Sequence, residues 1–223
     1  MGTTKSRLDH QTMAMRAAKE LQDGFYVNLG IGLPDLVSNF IPPDKTIIYQ
    51  SESGILGMGP LVLEEDKMDH DVVNPAVHPV SVVPGASFFD IAESFDMIRG
   101  KHLDVTILGA LQVSEKGDIA NWMLPGKRAG AMGGALDLAV GAKRVIAMLE
   151  HTTRDGKPRI LRECTYPLTA KECVELIITD LAVIEVTGEG LLLKEIAPGW
   201  SVDEIQALTE ATLIIKEVKE VTL

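Results

Sequence analysis

The chain has 223 residues, 46% hydrophobic and 24% charged, which is the balance of a globular protein able to bury a real core. Its net charge of −11 argues against nucleic acid and anionic membrane as partners. No apolar run reaches the ~18 residues that span a bilayer, and the polar start Met1-Gly2-Thr3-Thr4-Lys5-Ser6-Arg7 lacks the apolar centre of a signal peptide, so the expected compartment is the cytoplasm.

Taken in chain order, the elements alternate between helix and strand and predict an α/β protein. Residues 13–21 read as a short helix stopped by Asp23-Gly24. Residues 26–29 and 46–49 read as strands, rich in β-branched and aromatic side chains. A third strand over 80–83 is closed by Pro84-Gly85. Phe88, Ile91, Ala92, Phe95 and Ile98 recur at helical spacing and predict an amphipathic helix ending near Gly100. Residues 105–108 form a buried strand, 134–140 a short helix and 144–149 another strand. Thr169 with Glu172 fits a capping box opening a helix to about Ile177. Ser201 with Glu204 fits a second, opening a helix to Leu208. Between them, 182–186 and 191–195 flank Thr187-Gly188-Glu189-Gly190 as a hairpin, and 211–215 is the last strand. Residues 64–71 are the most charged segment and read as a surface loop.

Several residues are candidates for chemistry. Glu52 follows the strand at 46–49 directly, and Gly54, Gly57 and Gly59 then interrupt an apolar run. Apolar neighbours on both sides place the turn inside, where a carboxylate loses hydration at a cost that donors must offset. That cost suits a nucleophile or base with a tuned environment; the alternative is an ordinary exposed strand-end turn. In Met132-Gly133-Gly134-Ala135 the paired glycines let backbone approach a ligand closely. If Gly134 opens a helix, its free N–H groups face incoming negative charge, although a packing turn explains the glycines equally well. Gly30-Ile31-Gly32 is not a dinucleotide fingerprint, because Asp35 stands where the third glycine belongs. It reads as a strand-to-helix turn with Pro34 in the first helical turn, and Asn28 just before it can aim an amide into a site. Lys127 and Arg128 lie between Pro125-Gly126 and the glycine pair, where they either meet phosphates or sit in a solvated loop. No metal is expected: His70, within Asp66 to Asp71, lacks a diagnostic ligand spacing. Cys164 and Cys173, nine residues apart, read as reduced thiols.

The segment Gln50-Ser51-Glu52-Ser53-Gly54-Ile55-Leu56-Gly57 resembles the glutamate signature of the family I coenzyme A transferases. Asn28-Leu29-Gly30-Ile31-Gly32, Gly85-Ala86-Ser87-Phe88-Phe89-Asp90, Gly117-Asp118-Ile119-Ala120-Asn121-Trp122-Met123 and Met132-Gly133-Gly134-Ala135-Leu136-Asp137 match further segments in order. The resemblance runs from about Met15 to Ile215 and points to the β, or B-type, half of the succinyl-CoA:3-oxoacid and acetate/acetoacetate CoA-transferases. It implies an open mixed or mostly parallel sheet flanked by helices, in a single β-type CoA-transferase domain over residues 1–223. It implies Glu52 as the nucleophile that carries CoA as a glutamyl thioester, with Gly133 and Gly134 as oxyanion donors. Asn28, Gly30, Gly32, Ser53, Gly54, Lys127 and Arg128 are candidates for binding substrate or CoA. Ser53 stands where the family commonly has Asn. The resemblance also implies a companion CoA-transferase α subunit, in an αβ or α2β2 heteromer, with CoA thioesters as substrates and no permanently bound cofactor. The alternatives are an acyl-CoA thioester hydrolase and a non-catalytic subunit that binds acyl-CoA.

Overall fold

The computed structural model describes residues 5–126 and 131–222. Helix α1 (His10–Ala18) leads into β1 (Tyr26–Leu29), β2 (Ile48–Ser51), β3 (Ile55–Leu61) and β4 (Val80–Phe88). Helix α2 (Ile91–Arg99) is followed by β5 (Val105–Gly109), β6 (Gln112–Ser114), β7 (Ile119–Ala120) and α3 (Ala135–Gly141). Strands β8 (Arg144–Leu149), β9 (Ile160–Leu161), β10 (Val174–Thr179), β11 (Ala182–Thr187) and β12 (Gly190–Ile196) come next, then α4 (Val202–Ala207) and β13 (Leu213–Glu220).

Ten strands form one sheet in the order β13-β12-β11-β10-β8-β5-β1-β2-β3-β4. The central five, from β10 to β2, are parallel. Antiparallel pairs extend the sheet on both sides. A parallel sheet has to be covered on both faces, and side-chain alternation divides the central strands accordingly. In β8, Val145, Ala147 and Leu149 join a core with Leu138 of α3 and Ile205 of α4. Ile146 and Met148 face the other way, into a core with Met13, Ala14 and Ala17 of α1. A small sheet, β7-β6-β9, packs into the first core through Val113, Ile119 and Ile160.

Some elements differ from expectation. Helix α1 starts at His10 because the Asp9 carboxylate accepts the Thr12 N–H at 2.8 Å. The strand expected over 80–83 passes through Pro84-Gly85 to Phe88. It is the outermost strand of the sheet, where a missing proline N–H breaks no ladder. Phe88 therefore ends a strand, and α2 begins only after Asp90, whose side chain accepts the Glu93 N–H. The helix read from Thr169 and Glu172 does not form. The Thr169 hydroxyl bonds Asn121 and the Glu172 N–H bonds Asp118, so neither caps a helix. The apolar run that follows is β10, inserted between β8 and β11 and buried on both faces. The second capping box is real: Ser201 and Glu204 exchange bonds at the start of α4. The last strand begins at Leu213 and runs on to Glu220.

The topology positions a site. From β1 the chain moves outward through β2 to β4, then crosses back by α2 to place β5 on the other side of β1. A reversal of this kind leaves a crevice beyond the carboxyl ends of the strands that flank it.

Candidate active site

Glu52 is the first residue after β2, in the turn that joins it to antiparallel β3. The Gly54 N–H closes the turn on the Ser51 carbonyl at 3.0 Å. Gly54 itself has a φ of 110°, and a Cβ there would lie 2.2 Å from the Phe89 carbonyl oxygen. Only glycine allows both the conformation and the approach of the chain leaving β4. The turn is thus fixed from two sides, and Glu52 is held half-buried at the crevice.

Opposite it lies the start of α3, with Gly134 as the cap residue and Gly133 at a φ of 57°. A Cβ on Gly134 would fall 2.8 Å from Glu52 Oε2 and 3.0 Å from Cδ. The missing side chain is what gives the carboxylate room. Burial raises the Glu52 pKa above the ordinary glutamate range; the Gly134 N–H opposes that rise and the Asp137 carboxylate adds to it. Asp137 is paired with Arg99 at 2.7 Å. Glu52 is therefore a poorly hydrated carboxylate, which makes it the stronger nucleophile, and it has one backbone donor beside it.

These residues open on a cleft of about 410 Å³. Its floor is Leu29-Gly30 and Leu108-Gly109, the carboxyl ends of β1 and β5, where the crevice was expected. Ile31, Pro75, Asn121, Trp122 and Leu138 contribute walls. Glu52 is the one charged side chain among the described residues lining it. A larger hollow of about 530 Å³ beside Arg7, His10, Glu150 and Asp180 contains none of the predicted site residues.

Gly30, Glu52, Gly133 and Gly134 are thus brought together. Gly30 N–H bonds the Ile107 carbonyl at 2.8 Å, and a Cβ there would crowd the same oxygen at 3.1 Å, so this glycine lets β1 and β5 meet under the cleft. Gly32 serves the turn, with a φ of 93°, and does not line the cleft. Ser53 is exposed; its hydroxyl meets Ser51 Oγ at 2.7 Å and donates to the Val73 carbonyl. Lys127 and Arg128 lie outside the described residues. No cluster of His, Cys, Asp and Glu that could hold a metal occurs among the described residues.

Asn28 turns away from the cleft into a buried polar seam. Its amide donates to Gln50 Oε1 at 2.8 Å and to the Gln50 carbonyl, and Gln50 Nε2 donates to Ser94 Oγ at 2.8 Å. The seam ties β1, β2 and α2 together two residues ahead of Glu52. Asn28 Oδ1 and Thr106 Oγ1, on register partners in β1 and β5, are buried without partners. Sequence reading missed this role of Gln50 and Ser94, and also missed Pro75 and Asn121 as cleft residues. Asn121 stood inside a recognised motif; Pro75 had no local signal, because a distant loop brings it in.

Comparison with known proteins follows the same lines. The family described as "Coenzyme A transferase" matches residues 10–208. The B-type subunit of the "Succinyl-CoA:3-ketoacid coenzyme A transferase" of Helicobacter pylori is 48% identical over 206 residues, covering 92% of this chain and 99% of that protein. The mitochondrial "Succinyl-CoA:3-ketoacid coenzyme A transferase 2B" of Mus musculus is 52% identical over 202 residues, 90% of this chain but 39% of the mouse protein. The chain spans about two fifths of that relative's length. Among solved structures, an acyl-CoA transferase of E. coli O157:H7 in a "thioester complex with CoA" superimposes with a TM-score of 0.75 at 23% identity, over 100% of this chain and 44% of that one. At that identity the likeness concerns the fold.

Proposed function

The chain belongs to the coenzyme A transferase family, and from that premise we propose that it is the glutamate-bearing half of a CoA-transferase acting on short-chain acyl-CoA and 3-oxo acids. The observation that carries this reading is the half-buried Glu52 carboxylate, close against Gly134 at the mouth of the cleft.

Glu52 attacks the thioester carbonyl of an acyl-CoA, such as succinyl-CoA or acetyl-CoA. The tetrahedral oxyanion collapses, the CoA thiolate leaves, and an acyl-glutamyl anhydride remains. The thiolate then attacks the glutamyl carbonyl, which releases the first acid and leaves CoA on Glu52 as a thioester. A second acid, such as acetoacetate, attacks that thioester and expels the thiolate again. The thiolate finally attacks the acyl carbonyl of the new anhydride, giving the new acyl-CoA and the free Glu52 carboxylate. No proton is consumed and no resident cofactor is used; CoA thioesters enter as substrates. The kinetics are ping-pong. Backbone N–H groups of Gly133 and Gly134 serve the oxyanions, a contribution on the order of a hundredfold or more per donor. Buried apolar walls at Leu108 and Leu138 hold back water, which would discharge the anhydride.

The unit works in the cytosol with a companion α subunit, as αβ or α2β2. The 39% coverage of the mouse relative supports the companion, because the matching segment there is joined to further chain. The test is intact-mass spectrometry of the chain with its companion after incubation with acetoacetyl-CoA or succinyl-CoA. A gain of one CoA less water, located to the Glu52 peptide and absent in Glu52→Gln, is the expected result. No adduct with any acyl-CoA of a panel, with binding intact, refutes the reading.

A further inference from the structure

We propose that Arg99 is a positioning residue for the reaction: by holding Phe95 and Asp137 together it fixes Gly134 at its distance from Glu52. This inference rests on the reading of Glu52 as the nucleophile. Arg99 closes α2, is exposed and does not line the cleft. Its Nε donates to Asp137 Oδ1 of α3 at 2.7 Å, and its guanidinium lies over the Phe95 ring, 5.4 Å from the centroid. Phe95 Cζ in turn stands 3.1 Å from where a Gly134 Cβ would be. One side chain thus spans both helices and reaches Gly134 through the ring it covers.

Helix α3 needs such an anchor. It has seven residues, too few to hold itself, and Gly134 gives its first turn no side-chain cap. Its far end is fixed by close approach, because a Cβ on Gly141 would lie 2.3 Å from the Ile98 carbonyl oxygen of α2. Its near end, which carries the donor, meets α2 through the Arg99–Asp137 bond and the Phe95 ring. The Glu52 turn leans on the same helix. Phe89, just ahead of α2, sets its carbonyl against Gly54, and Ser94 accepts the Gln50 amide. Helix α2 therefore supports nucleophile and donor alike, and Arg99 is the tie on the donor's side.

The tie also governs charge. Asp137 is the carboxylate whose charge raises the Glu52 pKa, and Arg99 sets a cation on it. Asp96, three residues earlier on α2, is a second acid near that cation. Removing Arg99 leaves the Asp137 carboxylate uncompensated, so its repulsion of the Glu52 carboxylate grows while the donor loosens. An exposed ion pair adds little to stability, so the loss falls on the site rather than on the fold.

The test uses the chain with its companion, as Arg99→Gln and Arg99→Lys. Lys143→Gln is the control, since Lys143 makes an equally short exposed pair with Asp104, at 2.7 Å, and does not line the cleft. Arg99→Gln should slow glutamyl-CoA formation roughly tenfold, less than the roughly hundredfold cost of a donor lost outright. The acid limb of kcat/KM should move to higher pH, with melting almost unchanged. Lysine keeps the charge but not the planar stack, so it should restore the limb and only part of the rate. In Arg99→Gln combined with Asp137→Asn, the limb should fall back to that of Asp137→Asn alone. The control should behave as wild type. A wild-type rate and limb in Arg99→Gln overturn the inference. So does a rise in KM for acyl-CoA with the limb unmoved, which makes Arg99 a phosphate contact. A second readout needs no turnover. A water-soluble carbodiimide modifies the protonated carboxyl group, so the pH profile of modification at the Glu52 peptide, followed by mass spectrometry, reports its ionisation. The midpoint should rise in Arg99→Gln. If wild type forms no CoA adduct but the midpoint rises, the coupling of Arg99 to Glu52 stands and the transferase reading fails. If the adduct forms and neither rate nor midpoint responds to Arg99→Gln, the reverse holds.

Discussion

Gly134→Ala separates the fold from the chemistry. The φ of −78° at this position suits alanine, so the backbone is not strained. The new Cβ would stand 2.8 Å from Glu52 Oε2, whereas ordinary contact begins at 3.4 Å, so the carboxylate has to retreat by the 0.6 Å between them. Phe95 Cζ, at 3.1 Å, gives by a smaller amount. A flexible carboxylate moves cheaply, and replacing glycine trims unfolded-state entropy, so net stability should change by less than about 1 kcal/mol, or under roughly 4 °C in Tm. The reaction is less tolerant: misplacement of about 1 Å costs on the order of a hundredfold, and loss of an aligned donor costs a similar factor. The expected result is glutamyl-CoA formation slowed about a hundredfold in a rapid-quench, single-turnover assay with nearly unchanged melting. Gly133→Ala is the contrast. At a φ of 57° it costs about 1–2 kcal/mol of stability, but no atom of the described residues, Glu52 included, lies within 4 Å of its Cβ, so Glu52 is not displaced. A Gly134→Ala enzyme that forms adduct at the wild-type rate would refute the reasoning.

Three other outcomes are expected. Gln50→Leu leaves the Asn28 amide only the residue-50 carbonyl as acceptor and strands the Ser94 hydroxyl in the interior, at about 1–3 kcal/mol for a stranded group, and should lower the urea midpoint clearly; an unchanged midpoint means the seam does not stabilise the fold. Burial lowers the His151 pKa to about 4, with both ring nitrogens held by Thr179 and Thr209. The unfolded chain binds this proton near pH 6.5 and the folded chain only near pH 4, so its contribution is whole above pH 6.5. It is lost between 6.5 and 4, on the order of 3 kcal/mol in all. Urea titrations across that range should show the loss, and His151→Gln should flatten it. Asp137→Asn removes the like charge that raises the Glu52 pKa, so the acid limb of kcat/KM should move to lower pH; a limb that stays put means Asp137 is not felt at the site.

Much of this was readable without coordinates, because it is local. The alternation of short apolar runs with helical periods named β1, β2, β5 and β8 among the sheet's five central strands but not β10, and β1 and β8 came out with the bounds expected. Glu52 was visible as a carboxylate among glycines, and Gly133-Gly134 as a place where backbone could come close. The errors were local too. Thr169 and Glu172 have the spacing of a capping box, but spacing does not reveal that Asn121 and Asp118, some fifty residues earlier, take those groups. Pro84-Gly85 looks like a stop, but a strand at the edge of a sheet tolerates what a central strand cannot.

The sequence by itself determined which residues are fit for the chemistry: side-chain type, glycine placement and periodicity are properties of short segments. Only the tertiary structure decided what they do together. Placing β5 beside β1, after the chain has gone out to β4 and back, opens the crevice. It also sets Gly134 against Glu52, sends Asn28 into a buried seam instead of the cleft, and leaves β4 bare at the edge. Strand order is settled by which apolar faces can be buried at once across the whole chain, and that competition leaves no mark on any single stretch of it.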